Sequence, residues 1–142
     1  MNSAACAYEV KLHAFCLMGN HYHLLVELTD PNLDRFMHSL TAKYVRYFND
    51  RVERDGPLFR SRYGHREILG GDDFLALSRY IHRNPIDLGV KDLVSYRWSS
   101  LSEFTKKSTT SPLQTGLTLD LAGGWHEYLE FVMRDFELSN AA

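Results

Sequence analysis

Two runs of strict alternation on either side of Gly19-Asn20 constrain this chain more than anything else in it. Tyr8, Val10, Leu12, Ala14, Cys16 and Met18 fall on one side of the first run, and Glu9, Lys11, His13, Phe15 and Leu17 on the other. That is the period-two pattern of a strand with one buried face. The second run, His21 to Leu28, carries Tyr22, Leu24, Val26 and Leu28 as its apolar set. Gly19-Asn20 supplies turn chemistry, so the pattern predicts an antiparallel hairpin. Register then decides which faces coincide, because a slip of one residue inverts every side chain. A two-residue loop pairs Met18 with His21 and Cys16 with His23, which puts the histidines on the core face. A three-residue loop of Met18-Gly19-Asn20 pairs Leu17 with His21 and Phe15 with His23, so the apolar sets share one face and the histidines the other. The apolar pattern favours the second arrangement, with a glycine bulge.

Beyond the hairpin, Asp30-Pro31 reads as a helix N-cap followed by proline at the first helical position. Leu33, Phe36, Met37, Leu40, Tyr44, Tyr47 and Phe48 follow at helical spacing, predicting a long amphipathic helix that ends before Gly56-Pro57. A third strand is expected at about Tyr63 to Leu69. After Gly70-Gly71 a helix opened by Asp72 or Asp73 should close at Asn84-Pro85, since a residue before proline disfavours helix. In the looser stretch Asp87 to Phe104, Tyr96 and Trp98 are expected as core anchors. Residues 1–105 then form one catalytic-sized domain, 106–116 a polar linker, and 117–142 a helical extension with a helix from about Gly124 to Phe136.

A chain of 142 residues with 44% apolar and 24% charged residues has the composition of a globular protein with one modest core. The start of the chain has no secretory pattern, and no run approaches the roughly 20 apolar residues of a membrane span, so a cytoplasmic protein without a membrane partner is expected. Cys6 and Cys16 have no metal-site spacing and should be reduced, Cys16 inside a strand. A net charge of −2 gives no general attraction to nucleic acid. Ten of the sixteen basic residues, however, lie between Arg35 and Arg83 against six acidic ones. Arg60, Arg62 and Arg66, with Lys43 and Arg46 behind them, are the candidates for phosphate contacts, although a charged stretch can equally be ordinary solvated surface. Tyr63 could stack on a base or belong to the core.

His21 and His23, two apart on a strand, project from the same face and can converge on one metal ion. Such pairs also serve structure, each ring bonded to backbone. In the helix ending at Asn84, Phe74, Leu77, Ser78 and Ile81 form the packing stripe, while Tyr80 and Asn84, four apart, stand one turn above each other on a neighbouring face. A phenol and an amide are thereby presented together. The plainer alternative makes Tyr80 an amphipathic core residue and Asn84 a helix end.

Four motifs in order carry a resemblance. They are Phe15-Cys-Leu-Met-Gly-Asn-His-Tyr-His-Leu-Leu-Val-Glu, Gly56-Pro-Leu-Phe-Arg-Ser-Arg-Tyr, Leu77-Ser-Arg-Tyr-Ile-His-Arg-Asn-Pro and Tyr96-Arg-Trp-Ser-Ser. Spread over about Tyr8 to Phe104, they resemble the single-tyrosine insertion-sequence transposases of the His-hydrophobic-His (HUH) endonuclease superfamily, and most nearly the REP-associated tyrosine transposases. The resemblance implies an α+β, ferredoxin-like antiparallel sheet with helices on one face and the tyrosine-bearing helix on the other. Relative to that family the chain looks N-terminally shortened by a strand and a helix. The resemblance also implies His21, His23 and the Asn84 amide oxygen as ligands of a divalent metal (Mg2+ or Mn2+), and Tyr80 as nucleophile. Single-stranded or hairpin DNA is the implied substrate and a homodimer the implied assembly. Two imidazoles and an amide make a softer site than magnesium prefers, so manganese should bind more tightly. Gly70-Gly71 would let the Tyr80 helix move. Two other readings remain: a transposase descendant that only binds DNA, and a metal-dependent phosphoesterase that uses water.

Overall fold

A computed structural model describes residues 9–105 and 111–134. Tyr8, Cys6, Lys106 to Thr110 of the expected linker, and Asp135-Phe136 of the expected last helix lie outside these described residues. The chain is α+β, as the resemblance implies. It divides into two compact units, Met1–Val10 with Leu28–Glu67, and Lys11–Glu27 with Ile68–Ala142.

The first unit is built on α1, Leu33–Val52. Its start differs from the expectation: Asn32, not Asp30, is the N-cap residue. The Asn32 N–H donates to the Asp30 carbonyl (2.7 Å), which folds Asp30-Pro31-Asn32 into a tight turn, and the Phe36 N–H then bonds to Asn32 (3.1 Å). The far end stops where Glu53 adopts a left-handed conformation with φ 49°. There the Asn49 amide donates to the Gly56 carbonyl at 2.9 Å and holds the exit turn. Only Phe36 and Met37 of the apolar stripe are buried, and the C-terminal half of the stripe is open to solvent.

The second unit holds the hairpin apart from its outermost residues. β1 spans Val10–Leu17 and β2 spans Tyr22–Leu28, a two-stranded antiparallel sheet. The expected loop register is corrected here. The Met18 N–H donates to the His21 carbonyl at 2.8 Å across Gly19-Asn20, and Gly19 has no positive φ. Next to the turn the shorter loop therefore operates, without a glycine bulge, whereas farther out Lys11 and His13 reach Glu27 (2.6 and 3.0 Å), the pairing of the longer loop; His23 sits on a covered face and His21 at its exposed end. Leu25, two residues beyond His23 on the same side, is 1% exposed and packs with Ala14, Cys16 and Ile81, whereas Tyr22, Leu24, Val26 and Leu28 are only half-buried. The physical reason is a helix laid over the histidine face, which an alternation pattern within the strand cannot announce.

The expected third strand at Tyr63 to Leu69 does not form; these residues have no regular secondary structure and are mostly exposed. The edge of β1 away from β2 is met by other segments of the second unit. The Leu17 N–H donates to Trp98 (2.8 Å) and the Ser100 N–H to Phe15 (3.0 Å), and further along the Gln114 N–H donates to Leu12 (2.8 Å). Isolated bridges Cys16 to Ser99 and Leu12 to Leu113 mark the same edge. Trp98 thus contributes its backbone rather than a buried ring, which is 49% exposed. Tyr96 does anchor, through a hydroxyl that donates to the Leu17 carbonyl at 2.8 Å.

α2, Gly71–Arg83, is preceded by Gly70 at φ 103°, a backbone state open to glycine. Neither Asp72 nor Asp73 opens the helix as N-cap. Both lie in its first turn, where negative charge suits the helix dipole, and the Asp73 carboxylate accepts the Leu69 N–H at 3.3 Å. At the other end Asn84 stays helical despite preceding proline, and the chain rolls into a 3-10 turn, Asn84–Leu88. Pro85 heads that turn, where no N–H is required. Three short helices follow: α3 (Leu101–Phe104), α4 (Gly116–Ala122) and α5 (Trp125–Met133). Leu12, Leu93, Leu101, Phe104, Leu113, Tyr128 and Val132 form the main core. Arg79 of α2 donates to the carbonyls of Phe131 (2.7 Å) and Arg134 (2.9 Å), and Arg83 to Val132 (2.9 Å). Two cations thereby cap the carboxyl end of α5, where the dipole favours them. Among the described residues no helix is long and apolar enough to cross a membrane.

Candidate functional site

The hairpin loop and the C-terminal half of α2 bring together four side chains that the sequence singles out. His21 and His23 have ring centroids 5.0 Å apart and perpendicular planes. The Tyr80 ring stands edge-on to His23 with centroids 5.4 Å apart. Asn84, one helical turn after Tyr80, lies against His23 and donates its amide N–H to the Tyr80 carbonyl at 2.8 Å. With the amide nitrogen so engaged, the amide oxygen is directed elsewhere and can accept or ligate.

His23 is the centre of the group. Burial holds its pKa below the usual histidine value, and the charge of His21 lowers it further, while the Asn84 side chain works in the opposite direction. A neutral ring with a lone pair is the form that binds metal. Its Nε2 is buried with no hydrogen-bond partner of normal geometry, a cost that a ligand at that nitrogen would remove. His21 is prepared differently. Its Nδ1 lies 2.6 Å from the Asn20 side-chain oxygen, an acceptor, so Nδ1 carries the proton and Nε2 keeps the lone pair. Sequence reasoning gave Asn20 only a turn role; its position directly before His21 was the available signal.

Two imidazoles bonded to one ion at about 2 Å per nitrogen have ring centres roughly 5 Å apart, the separation found here. Among the described residues no three His, Cys, Asp or Glu side chains gather around a common point. A metal here would have two imidazole ligands and would need the Asn84 amide as a third. The residues present fit a divalent ion on that basis.

Tyr80 is 54% exposed, so its hydroxyl can be reached by a polymer. Tyr63, which the sequence offers for stacking on a base or for the core, is placed less well for ionisation. Its hydroxyl donates to the Asp34 carboxylate at 2.7 Å, and that hydrogen bond, with burial and the Asp34 charge, pushes its pKa up. Neighbouring negative charge disfavours a phenolate.

The five basic residues expected at phosphates lie in the first unit, Lys43 and Arg46 on α1, and Arg60, Arg62 and Arg66 in the segment after it, all exposed. Arg62 approaches Asp34 at 3.8 Å with both partners largely in solvent, a pair of little energetic weight. His13 and His82 are buried. His13 lies between the Gln114 carbonyl and Glu27, each at 3.0 Å, and His82 between the hydroxyls of Tyr128 and Ser100.

The family model described as "Transposase IS200 like" matches residues 1–84, a span that ends on Asn84. No curated protein matches the chain, and no solved structure does.

Proposed function

The chain belongs to the family of IS200-like transposases, and from that premise we propose that it cuts single-stranded DNA and rejoins it through a covalent link between Tyr80 and a 5′-phosphate. One observation carries the reading: Tyr80 and Asn84 converge on His23, whose buried Nε2 has no hydrogen-bond partner of normal geometry and only the Asn84 side chain near by. In the cutting step the Tyr80 oxygen attacks phosphorus and the bond from phosphorus to the 3′ oxygen breaks. The phenol gives up its proton and the departing 3′ oxygen gains one, so one phosphate ester replaces another. Attack on the phosphotyrosine by another 3′-hydroxyl releases Tyr80 and restores the backbone, with no nucleotide cofactor consumed.

Ionising an ordinary phenol at neutral pH costs on the order of 4 kcal/mol. A divalent cation, Mg2+ or Mn2+, held by His21, His23 and the Asn84 amide oxygen would polarise the phosphoryl oxygen and offset charge developing there. This chain's own contribution is placement. Asn20 fixes the His21 tautomer, burial keeps His23 neutral, and α2 carries Tyr80 beside them. The exposed cations of the first unit, Arg60, Arg62 and Arg66 with Lys43 and Arg46, are proposed to hold the phosphates of a hairpin-bearing strand.

Incubation with single-stranded hairpin DNA and Mn2+ or Mg2+, followed by a denaturing gel, tests the reading. A protein–DNA adduct that survives denaturation and disappears in Tyr80→Phe is expected. Cleavage that persists without Tyr80 would instead indicate a water nucleophile.

A further inference from the structure

The C-terminal half of α1 presents aromatic side chains where a solvated helix would carry polar ones. Tyr44 and Tyr47 are 49% and 55% exposed. The Tyr44 ring is flanked by those of Phe48 and Phe59, each with its centroid 6.2 Å away and tilted by under 40°. Tyr47 is braced at its edge: Arg51 donates to its hydroxyl at 2.6 Å, with the guanidinium carbon 5.2 Å from the ring centre. Lys43, Tyr44, Tyr47 and Arg51 fall within roughly 100° of one helix face. From position 43 to 62 the chain has six basic residues against three acidic ones.

We propose that this face is a stacking platform for unpaired nucleotides, with bases on Tyr44 and Tyr47 and the sugar-phosphate chain along Lys43 and Arg51. The proposal rests on the reading that the chain acts on single-stranded DNA and adds to it a surface apart from the four side chains around His23. Aromatic rings spaced along a basic groove or face are the arrangement that binds single strands, because every base has a π-face and every linkage a negative charge. The alternative occupant, a second copy of the chain docked by a two-fold axis, would set the same cations against each other, which opposes pairing. A polyanion has the complementary charge.

The test measures binding of fluorescein-labelled oligothymidylate, which has no hairpin, by anisotropy across a salt series. Y44A/Y47A should bind about tenfold more weakly per ring removed with an unchanged salt slope, while Y44F/Y47F should bind like the parent chain. Y44L/Y47L, which keeps the apolar surface without a π-face, should behave as the alanine pair does. The rings are about half exposed and outside the buried core, so all three variants should retain the parent's circular dichroism, with the melting point lowered by at most a few degrees. Undiminished binding by Y44A/Y47A, full binding by Y44L/Y47L, or no binding by the parent chain would overturn the proposal. So would sedimentation showing a parent dimer that Y44A/Y47A dissolves, since the face would then be a protein interface. The Tyr80-dependent adduct is scored separately on hairpin DNA, so a failed platform and a failed cleavage reading give different results.

Discussion

The side chain of Asn84 turns back along its own helix and donates to the carbonyl of Tyr80 at 2.8 Å. This bond ties a proposed metal ligand to the backbone of the proposed nucleophile, and it settles which end of the amide is left to face His23. It also fills a carbonyl left open at the end of α2, where the Asn84 backbone N–H bonds to Ile81 rather than to Tyr80.

Replacing Asn84 by Ala should therefore have two separable effects. Stability should fall by about 1 kcal/mol for the lost side chain–backbone bond. Mn2+ affinity, read by calorimetry, should fall by about tenfold, less than in His23→Ala, because water can stand in for an amide oxygen but not for a buried imidazole. Asn84→Asp keeps an oxygen ligand yet cannot donate to Tyr80, so it should bind the ion and still lose stability. Wild-type affinity in Asn84→Ala would remove Asn84 from the ligand set.

Tyr80→Phe should leave the fold and metal binding intact. Only a solvent-exposed hydroxyl is lost, and the ring contact with His23 is kept. The melting temperature should stay within about 2 °C of the parent, the range of a surface change worth under about 0.5 kcal/mol. No adduct with hairpin DNA should form. If an adduct does form in this variant, Tyr63 is the next residue to replace.

The parts of this architecture legible in the sequence are those set by local pattern. The hairpin, the long helix and the Tyr80 helix follow from periodicity, and His21, His23, Tyr80 and Asn84 from their spacing and the resemblance they carry. What was not legible depends on partners distant in sequence. The loop register came out one residue shorter because α2 covers the histidine face, burying Leu25 against Ile81. Tyr63 to Leu69 has strand-like residues yet forms no strand, and the segments that do meet the edge of β1, at Trp98, Ser100 and Gln114, lie far along the chain. Asn20 reads as a turn residue until the hairpin brings its oxygen to the His21 ring.

Gly70-Gly71, expected as a free pivot, divides into two different positions. Gly70 has φ 103° with open space around it, so Gly70→Ala is a strain on the backbone alone. Its cost should be about 1–2 kcal/mol. A side-chain carbon on Gly71 would meet the end of the flexible Leu121 side chain at 3.0 Å, so Gly71→Ala should cost less and be absorbed by a rotation of Leu121. Urea unfolding of the two variants checks the order; a larger loss in Gly71→Ala would mean that the α2–α4 contact does not yield.

His82 gives the chain a pH dependence of definite sign. Its Nδ1 lies 2.6 Å from the Tyr128 hydroxyl, which also meets Ser78 at 2.5 Å, and its Nε2 lies 2.7 Å from the Ser100 hydroxyl. Burial pulls the ring's pKa down to about 3, while an unfolded histidine takes up a proton near pH 6.5. Between those limits the unfolded chain binds more protons than the folded one, so stability falls as pH drops, by up to about 1.4 kcal/mol per unit. His23, also held low, first by burial, adds to the same slope. Glu27 is held low chiefly by its hydrogen bond from Lys11 and contributes only below about pH 4.5. Above pH 6.5 neither ring contributes, because it is neutral in both states. Urea unfolding at pH 7.5, 6 and 5 should show this loss. His82→Gln, whose amide can still bond to hydroxyls but does not titrate, should start less stable at pH 7.5 and lose less between pH 6 and 5. Equal slopes in the two proteins would mean that His82 takes up its proton inside the fold, and that the Ser78, Tyr128 and Ser100 network accommodates an imidazolium.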